Sequence, residues 1–314
     1  AGNGFDLSSD YSSLTASPGS STTDFPPENY PAADIETIEF TKGSIGALDR
    51  LASVKSLTGT LRMETPNTTS LAGLDNITSV GGGLELKDFA ITDLQGLGSL
   101  QSVGGTFDLH DLASLTSLSG IESLNSVGAF DLDNTATSSI AAFSGTSISG
   151  TGSYTGQVWI KNNPNLTSLD GLEGVTSPRW IGISETPISD LSALSGVTAF
   201  RSKGDQYLES EGYSFYVFQA DVEEVQTLDF FSSLTSTAGV IDLTDFPQLK
   251  DVTGLSNLSF DPSNADSKVE FSSMVGQYWP EPITKMSASS DFCQSARSLG
   301  NRVNISIDKV CETP

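Results

Sequence analysis

Carboxylates recur at one place in a repeating pattern along the chain. The segments Leu84-Glu-Leu-Lys-Asp, Phe107-Asp-Leu-His-Asp and Phe130-Asp-Leu-Asp-Asn align with one another. So do Val158-Trp-Ile-Lys-Asn and Ile241-Asp-Leu-Thr-Asp. Apolar and polar residues alternate in each, as in strands with one buried face. Stacked in register, Glu85, Asp108 and Asp131 lie one above another on the outer face, with Lys87, His110 and Asp133 in the adjacent row. Neighbouring strands sit ~4.8 Å apart, and like charges at that spacing repel unless screened. Three chemistries fit such a stripe. It is a solvated acidic face, or a Ca2+ site needing further oxygens from carbonyls and water, or a retaining glycosidase pair, whose carboxyls stand roughly 5–5.5 Å apart.

The same alternation points Val158 and Ile160 inward and Trp159 outward. It puts Trp180 of Trp180-Ile-Gly-Ile on that outer face, with Gly182 beside Trp159. An outward pair Trp159 and Trp180 is a candidate binding face for a sugar or a partner. The competing reading has Trp159 covering the gap left by the glycine. No catalytic residue is assigned. His110 is the single histidine and stands at an outward position. No G-x-S-x-G elbow, P-loop, dinucleotide fingerprint or EF-hand loop is present.

Cys293 and Cys311 are the two cysteines, and their spacing fits no zinc pattern. They are expected to form a local disulfide, stabilising the C-terminal end by about 3 kcal/mol in the chain-entropy account. A disulfide implies an oxidising compartment. Five N-x-S/T sequons agree, at Asn67, Asn76, Asn165, Asn257 and Asn304. With 15 basic and 39 acidic residues the net charge is −24. This excludes nucleic acid and an anionic membrane surface as natural partners. No apolar run reaches the roughly 18 residues of a membrane span. A chain opening at Ala1 rather than Met is expected to have lost a leader. The expected location is extracellular, secreted or cell-surface and cell-wall associated.

What must position these residues is a repeat. Coils start at Leu71-Ala-Gly-Leu, Leu94-Gln-Gly-Leu and Leu118-Ser-Gly-Ile, 23 and 24 residues apart. Later starts are Leu169-Asp-Gly-Leu, Leu191-Ser-Ala-Leu, Leu228-Asp-Phe-Phe and Val252-Thr-Gly-Leu. Self-similarity at this period is the signature of a solenoid. Gly81, Gly82, Gly104 and Gly105 fall at corners, where positive φ is expected. Helical periodicity is weak and confined to Asp221–Leu228 and Asp291–Leu299. Residues 1–34 form a Ser/Thr/Pro-rich arm, expected to dock on its own solenoid or on a neighbouring copy. Residues 35–260 form the solenoid, with irregular coils at 140–168 and 200–227 expected to leave as loops on one face. Residues 261–314 are a capping segment with the cysteine pair, because an open solenoid end exposes strand edges.

The unit L-x-G-L-x-x-L-x-S-V-G-G-x-L-x-L-x-x-N-x-x-L-T-S resembles the receptor L-domain family, in its fungal cell-wall and microbial surface glycoprotein branch. The matching residues include Leu94, Gly96, Leu97, Leu100, Ser102, Val103, Gly104, Gly105, Phe107, Leu109 and Leu115-Thr-Ser. Asn162 to Ser168 matches the corner segment closely. The likeness covers about residues 45–260. It implies an all-β, right-handed parallel β-helix with three short sheets around a dry core, and it carries no catalytic residues. The expected activity is non-enzymatic, without cofactor unless the acidic stripe holds Ca2+. The expected partners are copies of the chain itself or cell-surface proteins and glycans. Alternatives are a ligand-recognition ectodomain and a carbohydrate-active β-helix enzyme. Ice binding is disfavoured, since no flat threonine array is visible.

Overall fold

The computed structural model describes residues 5–7, 13–16, 36–41, 51–52, 54–66, 68–149, 155–201, 212–218, 222, 225–271, 284–300, 302–304 and 306–313. The sequon at Asn67, most of the N-terminal arm and much of the 200–227 insertion lie outside these residues. The chain divides into two units. One is Ala1–Thr155 with Asn162–Asn165, and the other is Gly156–Lys161 with Leu166–Pro314. Both are parallel β-solenoids with coils of about 23 residues.

The coil is built by two local rules. Where the sequence alternates, it forms a strand: Leu84 and Leu86, Phe107 and Leu109, and Phe130 and Leu132 all point into the core, and all are fully buried. Where leucine recurs every third residue, the chain makes successive tight turns. Leu74 N–H donates to the Leu71 carbonyl at 3.1 Å, and Ile77 N–H to that of Leu74 at 2.9 Å. Side chains three apart eclipse in such turns, so every leucine faces the core. The glycine inside this turn has positive φ: 106° at Gly73, 108° at Gly96, 112° at Gly120 and 120° at Gly171.

In the first unit the main sheet runs through Ser13–Ala16, Thr37–Thr41, Leu61–Glu64, Leu84–Lys87, Ser102–Leu112 and Ser126–Thr135, all parallel and one coil apart. The described part of the N-terminal arm thus adds a rung to its own sheet, and Phe5–Leu7 pairs antiparallel to that rung. A second ladder stacks Ser56–Leu57, Ser79–Val80, Ser102–Val103, Ser126–Val127 and Ser147–Ile148. On the third side the described residues make single backbone bonds from coil to coil, such as Thr116 N–H to Thr92 O at 3.1 Å. That side is too tightly turned to pair as a sheet. A phenylalanine stack fills the interior, with Phe130 6.2 Å from Phe107 and 4.5 Å from Phe143.

The corner glycines have a different reason from the expected one. Gly81 and Gly104 do not have positive φ. Consecutive coils approach so closely there that a Cβ on Gly104 would run into the Gly81 carbonyl, and one on Gly81 into that of Thr58. Positive φ falls instead at the end of five successive main strands, at Asp88, Asp111, Asn134, Asn162 and Glu185. Asp and Asn tolerate that region best, and they also link the coils: Asn134 Nδ2 donates to Asp111 Oδ1 at 2.8 Å, and Asn162 Nδ2 to Asn134 Oδ1 at 3.0 Å.

In the second unit the main sheet is Gln157–Lys161, Trp180–Ser184, Tyr213–Phe218, Val240–Leu243 and Lys268–Phe271. A smaller sheet stacks Ala199–Phe200, Ser236–Thr237 and Ser259–Phe260. Residues 213–218, expected within a looped insertion, are a full rung of the main sheet. The C-terminal end is closed by the helix Asp291–Leu299, whose Ser290 Oγ accepts from Cys293 N–H at 3.2 Å. Phe292 packs 5.2 Å from Phe260, and Cys293 is bonded to Cys311. Arg302, 4% exposed, donates to the carbonyls of Asn264, Ser267 and Asp261. The Asn304 amide pairs with both backbone groups of Phe271, so the last strand does not end on a bare edge.

Candidate functional site

The acidic stripe of the first unit forms in the expected register, with Glu85 beside Asp108 and Asp108 beside Asp131. Cations are interleaved with its charges. Arg62, one coil before Glu85, places Nε 3.2 Å from Glu85 and Nη1 4.0 Å from Glu39. His110 Nδ1 lies 2.9 Å from Asp108 Oδ1, and its Nε2 is 3.9 Å from Glu85. Lys87 reaches Asp111 at 3.9 Å. Burial pushes the Glu85 carboxyl up and Asp108 adds to this, while Arg62 opposes both. The hydrogen bond that His110 donates to the Asp108 carboxylate raises its pKa above the usual imidazole value. Glu85, Asp108 and His110 bring one ligand atom each within 4.8 Å of the others. An imidazole with two carboxylates suits a transition metal better than the Ca2+ expected for Glu85, Asp108 and Asp131. As it stands, the cluster is a network in which Arg62 and His110 bridge neighbouring acids and offset part of their charge.

Trp159 and Trp180 meet edge to face, 5.5 Å apart at 66°. The expected exposed pair is corrected at Trp180, which is 4% exposed. The register sets Trp159 beside Gly182 and Gly182 beside Tyr216. A Cβ on Gly182 would run into the Trp159 ring. Trp159 therefore leans into the glycine gap and its ring covers Trp180. Trp159 itself is half-buried.

Among the described residues the most open aromatic surface lies farther along the same face, on the strand Tyr213–Phe218. Phe215 and Val217 point inward and are buried. Tyr216 and Phe218 point outward, 6.1 Å apart with rings nearly parallel at 12°. Tyr213 would fall on the inner side under strict alternation. A bulge between Tyr213 and Phe215, opposite Val240 and Ile241, turns it outward, and its ring lies 5.2 Å from Tyr216. Phe218 is 41% exposed and is the one large apolar side chain so exposed among the described residues. Carboxylates surround the row. Burial raises the Tyr216 phenol above its ordinary range, and the charges of Asp242, Asp245 and Glu185 add to this. Asp242 is 6% exposed. Its Oδ1 accepts from Thr244 N–H at 2.9 Å, yet burial pushes its carboxyl up, with Glu270 and Asp245 contributing.

A furrow of about 450 Å³ follows the second ladder of the first unit. Ser56, Ser79, Ser102 and Ser126 line it one coil apart, with Gly81 and Gly104 among its other residues, and no ionisable side chain faces it. Of the sequons, Asn76, Asn165, Asn257 and Asn304 are exposed. Asn76, Asn165 and Asn257 share one role, each donating Nδ2 to a carbonyl of the preceding coil, at Ala52, Ala136 and Ser232. Among the described residues no helix is long and apolar enough to cross a membrane.

Arg62 and the Tyr213, Tyr216 and Phe218 row were missed from the sequence. The alternation in Tyr213-Ser-Phe-Tyr-Val-Phe was a usable signal for Tyr216 and Phe218. No family model matches the chain, and no curated protein matches it significantly.

Proposed function

We propose that this chain is an extracellular, non-enzymatic surface glycoprotein, related in manner to receptor L-domain-like solenoids, that acts by non-covalent binding through the outer faces of its sheets. The observation that carries the reading is the aromatic row of the second unit. A fold that buries the leucines of its described coils leaves Phe218 exposed beside Tyr216. Aromatic side chains on an open sheet face are a contact surface waiting for a partner. The Cys293–Cys311 bond supports an oxidising compartment, and the exposed sequons offer glycan attachment sites. The partners are cell-surface proteins or glycans, or further copies in a coat, wall or appendage.

The test is to secrete the full chain from a eukaryotic host and measure glycan occupancy and retention on cell-surface material. N-glycans are expected at the exposed sequons, with saturable retention that Phe218→Ala weakens. An unglycosylated chain that binds no surface, with or without Phe218→Ala, would overturn the reading.

A further inference from the structure

We infer that the aromatic row Tyr213, Tyr216 and Phe218 is the docking surface for a protein segment presenting Lys or Arg side chains. This rests on the proposed use of the face as a contact surface, and it names the partner. Three observations point the same way. First, the row is assembled rather than incidental, because the bulge at Tyr213 and Phe215 turns a third ring onto the face. Ring faces attract cations through their quadrupole, and guanidinium groups also stack on them.

Second, the rings are framed by acid. Glu185 N–H donates to the Phe218 carbonyl at 2.9 Å, so this carboxylate begins where the row ends. Glu185 holds a φ of 51°, at a corner where the preceding coils use Asp or Asn. Asp242 and Asp245 act on Tyr216 electrostatically, and Glu270 acts on Asp242. Among the described residues the cations on this face are Lys268, 2.8 Å from Glu270, and Lys161, in register with Ser184, which is in turn beside Phe218. Among the described residues, three carboxylates at least partly exposed, Glu185, Asp245 and Glu270, with Asp242 buried beneath them, outnumber these two ammonium groups beside the exposed rings.

Third, charge selects among occupants. A second copy also carries −24, so two copies repel before they touch. Nucleic acid and acidic glycans are repelled likewise. A neutral sugar would stack on the rings but cover the carboxylates without compensating them. A basic segment satisfies rings and carboxylates together.

The experiment is calorimetric titration of the full chain with octa-lysine and octa-arginine at about 150 mM salt. The expected result is saturable binding, weakened about fivefold or more by Phe218→Ala and by Glu185→Gln. Glu64→Gln, which removes the same charge from the first unit, leaves it unchanged. Equal weakening by Glu64→Gln and Glu185→Gln, with Phe218→Ala silent, would show diffuse charge attraction and sink the proposal. If Phe218→Ala instead abolishes binding of a neutral glucan hexamer, or self-association in sedimentation, the cationic partner is wrong and the contact surface stands. If Phe218→Ala alters neither these nor surface retention, both fall.

Discussion

The outer faces of the two main sheets are built on one backbone pattern and carry opposite arrangements. In the first unit, outward residues stack as Glu39, Arg62, Glu85, Asp108 and Asp131, with His110 beside them, and Arg62 and His110 join neighbouring acids. In the second, the corresponding rank begins Trp159, Gly182, Tyr216, and carboxylates gather around exposed rings. The inward residues of both are equally apolar and equally buried. The coil thus sets which residues face out, and the content of each outward rank decides whether the face is cross-linked by ion pairs or presents aromatic rings.

The comparison can be broken most severely from inside. Phe130→Ala should cost about 3–5 kcal/mol of stability, because its ring is stacked between Phe107 and Phe143. Phe218→Ala, on the open face, should stay within about 0.5 kcal/mol of wild type. Urea unfolding of the two variants checks the contrast. The glycines give a second pair. Gly104→Ala forces a methyl against the Gly81 backbone, which cannot move without shifting a coil, and should cost about 3 kcal/mol. The atoms nearest a methyl in Gly182→Ala belong instead to the Trp159 and Trp180 side chains. It should cost about 1 kcal/mol and change tryptophan fluorescence as Trp159 is pushed outward.

Two titrations sharpen the electrostatic half. The folded pKa of Asp242 is raised by burial, so folding favours its protonated form and stability falls as pH rises through the carboxylate range. Asp242→Asn should therefore raise the melting temperature at pH 7 by roughly 1–2 °C and converge with wild type below about pH 4. The same variant should weaken binding of a cationic segment, a gain in stability set against function. The His110 pKa is raised by Asp108. Its stabilising contribution is fully present below the ordinary imidazole value of about 6.5 and is lost as pH rises through the folded value. His110→Gln should flatten this slope in thermal melts across that window, the smallest of the effects.

The coil period, the alternation and the cysteine pair were legible because each is local: leucine every third residue makes its turn wherever it stands. The in-register stack of Glu85, Asp108 and Asp131 was legible for the same reason. Its link to Arg62 was not, because Arg62 lies in the coil before the first clear repeat and meets Glu85 only through pairing. Tyr213 was hidden by the bulge, since an extra residue reverses the facing that alternation assigns. Gly104 was recognised as necessary for the wrong cause: backbone approach between coils leaves no trace in one coil's sequence, whereas positive φ at Gly96 belongs to the turn itself. Trp180 kept its predicted direction and lost its exposure to Trp159.

The central claim is that the open face lies in the second unit, and side-chain footprinting of the full chain tests it most directly. Oxidative labelling with and without octa-lysine should show protection of Tyr213, Tyr216 and Phe218, with His110 on the first unit unchanged. Equal protection of both faces, or labelling of Phe218 unaltered at saturating peptide, would contradict the account.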